Sequence, residues 1–101
     1  LASGLFVFII YIWFKEDIYL WFCENENSAP ACTVVGMINQ KQQFFESADN
    51  YYEMACKQQY ALACFKRAVL AENRQHQELA KESYLRACEY GHQAACQKPK
   101  Q

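Results

Sequence analysis

Six cysteines fall into three close pairs, Cys23/Cys32, Cys56/Cys64 and Cys88/Cys96, and the last two pairs repeat each other at an offset of 32 residues. The match extends to their neighbours: Ala48, Tyr52, Ala55, Cys56, Ala63 and Cys64 each meet an identical residue 32 places later. Chance rarely aligns cysteine and tyrosine in this way, so the chain is read as a repeat protein. A weaker copy lies upstream, where Tyr19 stands four residues before Cys23 and Ala31-Cys32 closes the unit, with one extra residue between its cysteines. A period in the low thirties belongs to helix-turn-helix repeats, in which each unit buries its apolar face only by stacking on its neighbours.

The spacing within each unit is helical. Ala48, Tyr51, Tyr52, Ala55 and Cys56 recur three and four residues apart and form one apolar stripe, as do Ala80, Tyr84, Ala87 and Cys88. Gly91 suits the left-handed residue that ends a helix. Upstream, Ser28 is a plausible helix cap, and Pro30 is tolerated only in the first turn that follows. The pattern predicts helices near residues 1–24, 29–40, 43–58, 61–73, 77–90 and 92–97.

A chain of 101 residues makes one domain at most, and a core this small is marginal without an added staple. The cysteine pairs are the obvious staple, each bridging the two helices of a hairpin across its turn. With seven or eight residues between partners, the chain-entropy model gives roughly 2.5 kcal/mol per bridge. The competing reading is zinc, whose cysteine ligands usually stand about two to four residues apart; here only His76 and His92 would support it. Neither Cys-x-x-Cys nor Cys-x-x-Cys-His occurs, which argues against thiol redox catalysis and covalent haem. Bridged cysteines in a small domain point to an oxidising space.

Residues 1–14 carry no charge and precede the cluster Lys15-Glu16-Asp17, so they read as a transmembrane segment. Fourteen helical residues rise about 21 Å against a hydrocarbon thickness of roughly 30 Å, so the span is expected to be completed upstream. Tyr11 and Trp13 fit an interfacial aromatic belt, and Lys15 is placed to snorkel. Because no Gly or Pro lies between Phe14 and Cys23, the membrane helix is expected to run straight into the first repeat. The expected topology is a single-pass membrane protein with its repeats in the periplasm or, alternatively, at the mitochondrial inner membrane facing the intermembrane space.

Ten basic and eleven acidic residues are interspersed, for a formal net charge of −1, which leaves no electrostatic footprint for nucleic acid. Ser3, Ser28, Ser47 and Ser83 lack a recognisable His or Lys partner for nucleophilic catalysis. No catalytic, cofactor or metal residue is identified. His92 reads as a turn residue, and His76 as a solvated one.

Ala-x-x-x-Tyr-x-x-Ala-Cys-x-x-Gly-His-x-x-Ala-Cys, at residues 80–96, resembles a Sel1-like repeat, a relative of the tetratricopeptide repeat. Ala31-Cys32-Thr33-Val34-Val35-Gly36 resembles the second helix of the same unit. The resemblance is to cysteine-rich members with one disulfide in each helix pair, and it implies an α/α superhelix whose surfaces bind proteins or peptides. It also implies that first helices line the concave side, which makes Met54, Lys57, Arg86 and Glu89 candidate contacts. The chain departs from the pattern at Gln59-Tyr60, which replaces Gly91-His92, and at Phe22, which stands where Ala55 and Ala87 do.

The expected architecture is therefore all-α: a transmembrane segment over 1–14, a short α/α solenoid of Sel1-like repeats over 15–97 (about 15–46, 47–78 and 79–97), and a disordered tail over 98–101. The expected role is a membrane-anchored protein–protein interaction module outside the cytosol, not an enzyme, serving as an accessory or assembly subunit. Its expected partners are membrane lipid and a larger integral-membrane complex. Besides the six bridged cysteines, Trp21, Phe22, Met54 and Arg86 are the candidate partner contacts. The alternatives are a cell-wall enzyme or binder like the β-lactam-linked relatives, and an intermembrane-space assembly factor for a respiratory complex.

Overall fold

The computed structural model describes residues 2–97; the expected tail at 98–101 lies outside the described residues. Six helices follow one another: α1 (Ala2–Glu26), α2 (Ala29–Lys41), α3 (Phe45–Cys56), α4 (Ala61–Asn73), α5 (Gln77–Glu89) and α6 (Gln93–Cys96). Their order and approximate limits agree with the periodicity, and no strand occurs among the described residues. From α2 onward each helix begins sixteen residues after the last, at positions 29, 45, 61, 77 and 93. The 32-residue period is thus two equal half-units.

The same cadence governs the turns. Asn27, Gln43, Gln59, Gln75 and Gly91 have positive φ, again at sixteen-residue intervals. One left-handed residue reverses the chain and lets the next amide reach back to the helix just finished. In four turns that bond runs five residues back: Phe44 N–H to Asn39, Tyr60 to Ala55, His76 to Ala71 and His92 to Ala87. In the first turn Ser28 N–H reaches six back, to Phe22. The extra residue of the first unit therefore sits at the end of α1: Asn27 lies four residues after Cys23, whereas Gln59 and Gly91 lie three after Cys56 and Cys88. Ser28 accepts from Ala31 N–H and caps α2, with Pro30 in its first turn.

Disulfides join Cys23 to Cys32, Cys56 to Cys64 and Cys88 to Cys96, and no cysteine is free. Each bridge clamps two consecutive helices with Cα atoms 4.7–4.8 Å apart. Around them the core is built from small residues, including Ala31, Ala55, Ala63, Ala68, Ala71, Ala80, Ala87 and Ala95. Small side chains bury little apolar surface each, so the covalent clamps carry a large share of the stability.

The largest fully buried side chain is Tyr52. Its ring packs on the backbone of Gly36 in α2, and its Oη donates to Gln40 Oε1 at 2.7 Å. Thirty-two residues on, Tyr84 Oη donates to Glu72 Oε1 at 2.8 Å. The repeated tyrosine therefore ties the first helix of one unit to the second helix of the unit before it.

The amino-terminal helix departs from expectation. α1 runs unbroken through residues 2–26, so the apolar segment does lead directly into the first cysteine pair. Yet no helix among the described residues is long and apolar enough to cross a membrane. Every eighteen-residue window of α1 includes Lys15, Glu16 and Asp17, which interrupt the apolar stretch. The transmembrane segment over 1–14, and the single-pass topology with repeats in the periplasm or intermembrane space that depended on it, are therefore not supported. α1 docks through its carboxy-terminal third, where Tyr19 and Leu20 are half-buried and Cys23 is buried. Residues 5–14 are exposed on all sides, which explains a longest dimension of 56 Å against 25 and 23 Å.

A candidate protein-binding groove

α3, α4 and α5 bring charged residues together between the second and third units. Arg67 on α4 is mostly buried and contacts Asp49 through Nε at 2.9 Å and Nη2 at 3.2 Å, and Glu53 through Nη1 at 2.9 Å. Burial opposes the charge on Arg67, but the hydrogen bond to Asp49 and the carboxylates of Asp49, Glu53 and Glu82 outweigh it and raise its pKa. Glu53 Oε1 also accepts from Arg86 Nη1 at 3.0 Å, and Arg86 lies 3.7 Å from Glu82. Arg86, a candidate partner contact, is thus engaged in holding α5 against α3.

The other candidates lie on exposed faces. Trp21 and Phe22 pack edge to face, with ring centroids 5.2 Å apart, and both remain largely exposed on α1. Met54 is exposed on α3. None of these four residues lines the cavities formed among the described residues by α2–α4, by α3–α5, or by Phe44, Phe45 and Arg74.

A groove that periodicity did not reveal lies elsewhere, between the second helices of the first two units. It measures about 400 Å³ and is lined by Met37, Gln40 and Lys41 from α2, Phe65, Lys66 and Val69 from α4, and Tyr52 from α3. The first and second units build it together, because Tyr52 seats on Gly36 and holds Gln40 by its hydroxyl. Burial pushes the Tyr52 hydroxyl up to about 12, so it is a neutral donor at ordinary pH. Phe65 is fixed from behind by Tyr84, at 5.8 Å between centroids, and by the His92 ring at 4.2 Å. Sequence reading missed the groove because most of its residues do not recur with the period: Phe65 corresponds to Gln97, Gln40 to Glu72 and Lys41 to Asn73.

A second depression, between α3 and α5, is lined by Glu46, Asp49, Asn50, Leu70, Ala71, Arg74, His76 and Leu79. Arg74 lies over the Phe45 ring at 5.1 Å. Ser83 is wholly buried, and its hydroxyl has no hydrogen-bond partner. Among the described residues no group of three or more His, Cys, Asp or Glu side chains is placed to hold a metal ion. No family model, curated protein or solved structure matches the chain.

Proposed function

We propose that the chain is a disulfide-stapled helical interaction module of the Sel1-like repeat type, which binds other proteins as an accessory or assembly component of a larger complex. The observation that carries this reading is the groove over Tyr52, an apolar-and-cationic concavity built jointly by two units, with Met37 and Lys41 exposed and Gln40, Phe65, Lys66 and Val69 half-buried along it. Ligand sites are concave, with an apolar lining and a few polar groups that fix orientation.

Two further features support the reading. The contiguous exposed apolar surface of α1, from Leu5 to Phe14, continues to Trp21 and Phe22, and surfaces of that extent mark interaction sites. Three bridged cysteine pairs fit maturation in an oxidising compartment, where such staples persist. Native mass measurement of the chain gently isolated from its source cells tests the proposal. A defined mass above that of the monomer, reduced by substitutions in the groove, is the expected result; a stable lone monomer would overturn it.

A further inference from the structure

We infer that the groove between α2 and α4 takes a short acidic peptide, with an aliphatic or aromatic side chain seated between Met37, Phe65 and Val69 and an adjacent carboxylate held by Lys41 and Lys66. This inference rests on the proposed protein-binding role and specifies the partner's chemistry.

The argument is one of charge complementarity on an apolar floor. The chain as a whole carries a net charge of −1, yet this groove is locally cationic. α2 contains no Asp or Glu, and the one acid on α4, Glu72, receives the Tyr84 hydroxyl. Asp49 and Glu53 of α3 are engaged by Arg67 and Arg86. Among the described residues the ion pairs involve those two arginines and neither lysine. Lys41 and Lys66 thus line one apolar trough as cations outside those ion pairs, and a rim charge of this kind steers and selects the partner.

The floor supplies the second half of the recognition. Met37 is exposed and adaptable, whereas Phe65 is braced by Tyr84 and His92, so one wall yields while the other is fixed. Gln40 uses its Oε1 for the Tyr52 hydroxyl and keeps its NH₂ group as a donor for a peptide carbonyl. The corresponding position in the next unit is Glu72, which would repel a carboxylate, so the arrangement is particular to the first two units.

The test is selection of a random twelve-residue peptide library, displayed on phage, against the full oxidised chain. Recovered peptides should place Asp or Glu beside Leu, Ile, Met or Phe. A synthetic consensus peptide should bind at least tenfold more weakly to the double variant K41E/K66E, and also to K41Q/K66Q, with unchanged helical circular dichroism. Binders without acids, indifferent to both variants, would overturn the inference while leaving protein binding intact. Recovery of no peptide would overturn it too; the native mass measurement then decides separately whether the interaction role survives. Self-association of the chain abolished by K41E/K66E would overturn it in favour of a second copy as occupant.

Discussion

Gly36 and Tyr52 are fitted to one another: a methyl group at Gly36 would lie 2.5 Å from Cε1 and 2.6 Å from Cδ1 of the Tyr52 ring. The glycine in α2 exists to let an aromatic ring from α3 lie on the helix backbone, and that contact closes the floor of the groove.

Gly36→Ala should therefore destabilise the fold although alanine is the better helix former. The gain in helix propensity is about 1 kcal/mol, and overpacking against the buried Tyr52 ring costs about 1–3 kcal/mol. A net loss of up to about 2 kcal/mol is expected by urea denaturation with the disulfides intact. Tyr52→Leu should make Gly36→Ala less costly, since it removes the clashing edge; equal costs in both backgrounds would refute the explanation.

Ser83→Ala should stabilise the chain. The Ser83 hydroxyl is wholly buried with no partner, a penalty of about 1–3 kcal/mol. Removing it from the middle of α5 also improves helix propensity. A rise in stability of about 1 kcal/mol is expected, and a loss in thermal unfolding experiments would mean that the hydroxyl is satisfied in solution.

The turns predict opposite effects at equivalent positions. Gln59 has φ of 65° and an exposed side chain, so Gln59→Gly relieves backbone strain without removing packing. The gain should be about 0.5–1 kcal/mol once the extra freedom of unfolded glycine is discounted. Gly91 has φ of 104° and open space around it, so Gly91→Ala should cost about 1 kcal/mol through the backbone alone. Paired denaturation curves that moved in the same direction would contradict this account.

Alkaline titration follows from the two repeated tyrosines. Burial raises Tyr52 to about 12, and burial together with the Glu72 carboxylate raises Tyr84 to about 12, from an ordinary value of 10.0. A raised folded pKa means that deprotonation is easier in the unfolded chain. Their contribution is thus fully present below about pH 10 and declines as pH rises toward 12. Denaturation midpoints should fall across that window. Tyr52→Phe should make the fall shallower while lowering stability at neutral pH; an unchanged slope in this variant would remove Tyr52 from the explanation.

The helices were legible in the sequence because alanine, tyrosine and cysteine recur at helical spacing and at a fixed offset. Of the turns, only the first, marked by Ser28 and Pro30, and the last, marked by Gly91, were legible. At Gln43, Gln59 and Gln75 the chain takes up left-handed geometry on a residue with no preference for it, because helix packing on either side and the bond five residues back impose the reversal. The apolar amino end read as a membrane span, which the structure does not support, since Lys15, Glu16 and Asp17 lie inside the same helix rather than beyond its end. Arg86 read as a candidate partner contact, whereas its engagement with Glu53, 33 residues away, needed the three-dimensional arrangement. The groove was hidden for the same reason, since Lys41 and Lys66 line one concavity only when α2 and α4 are brought side by side.

The equal sixteen-residue spacing of the helix starts has a consequence for how such chains grow. Every joint from α2 onward presents the same geometry to its successor, and every hairpin contains both sulfurs of its own clamp. An in-frame duplication of 32 codons would thus deliver a complete block whose ends fit the existing joints and whose internal lock needs no cysteine from elsewhere. Length is then a heritable variable separable from fold, and a single-codon insertion is tolerated at the end of α1, where the first turn has already absorbed one.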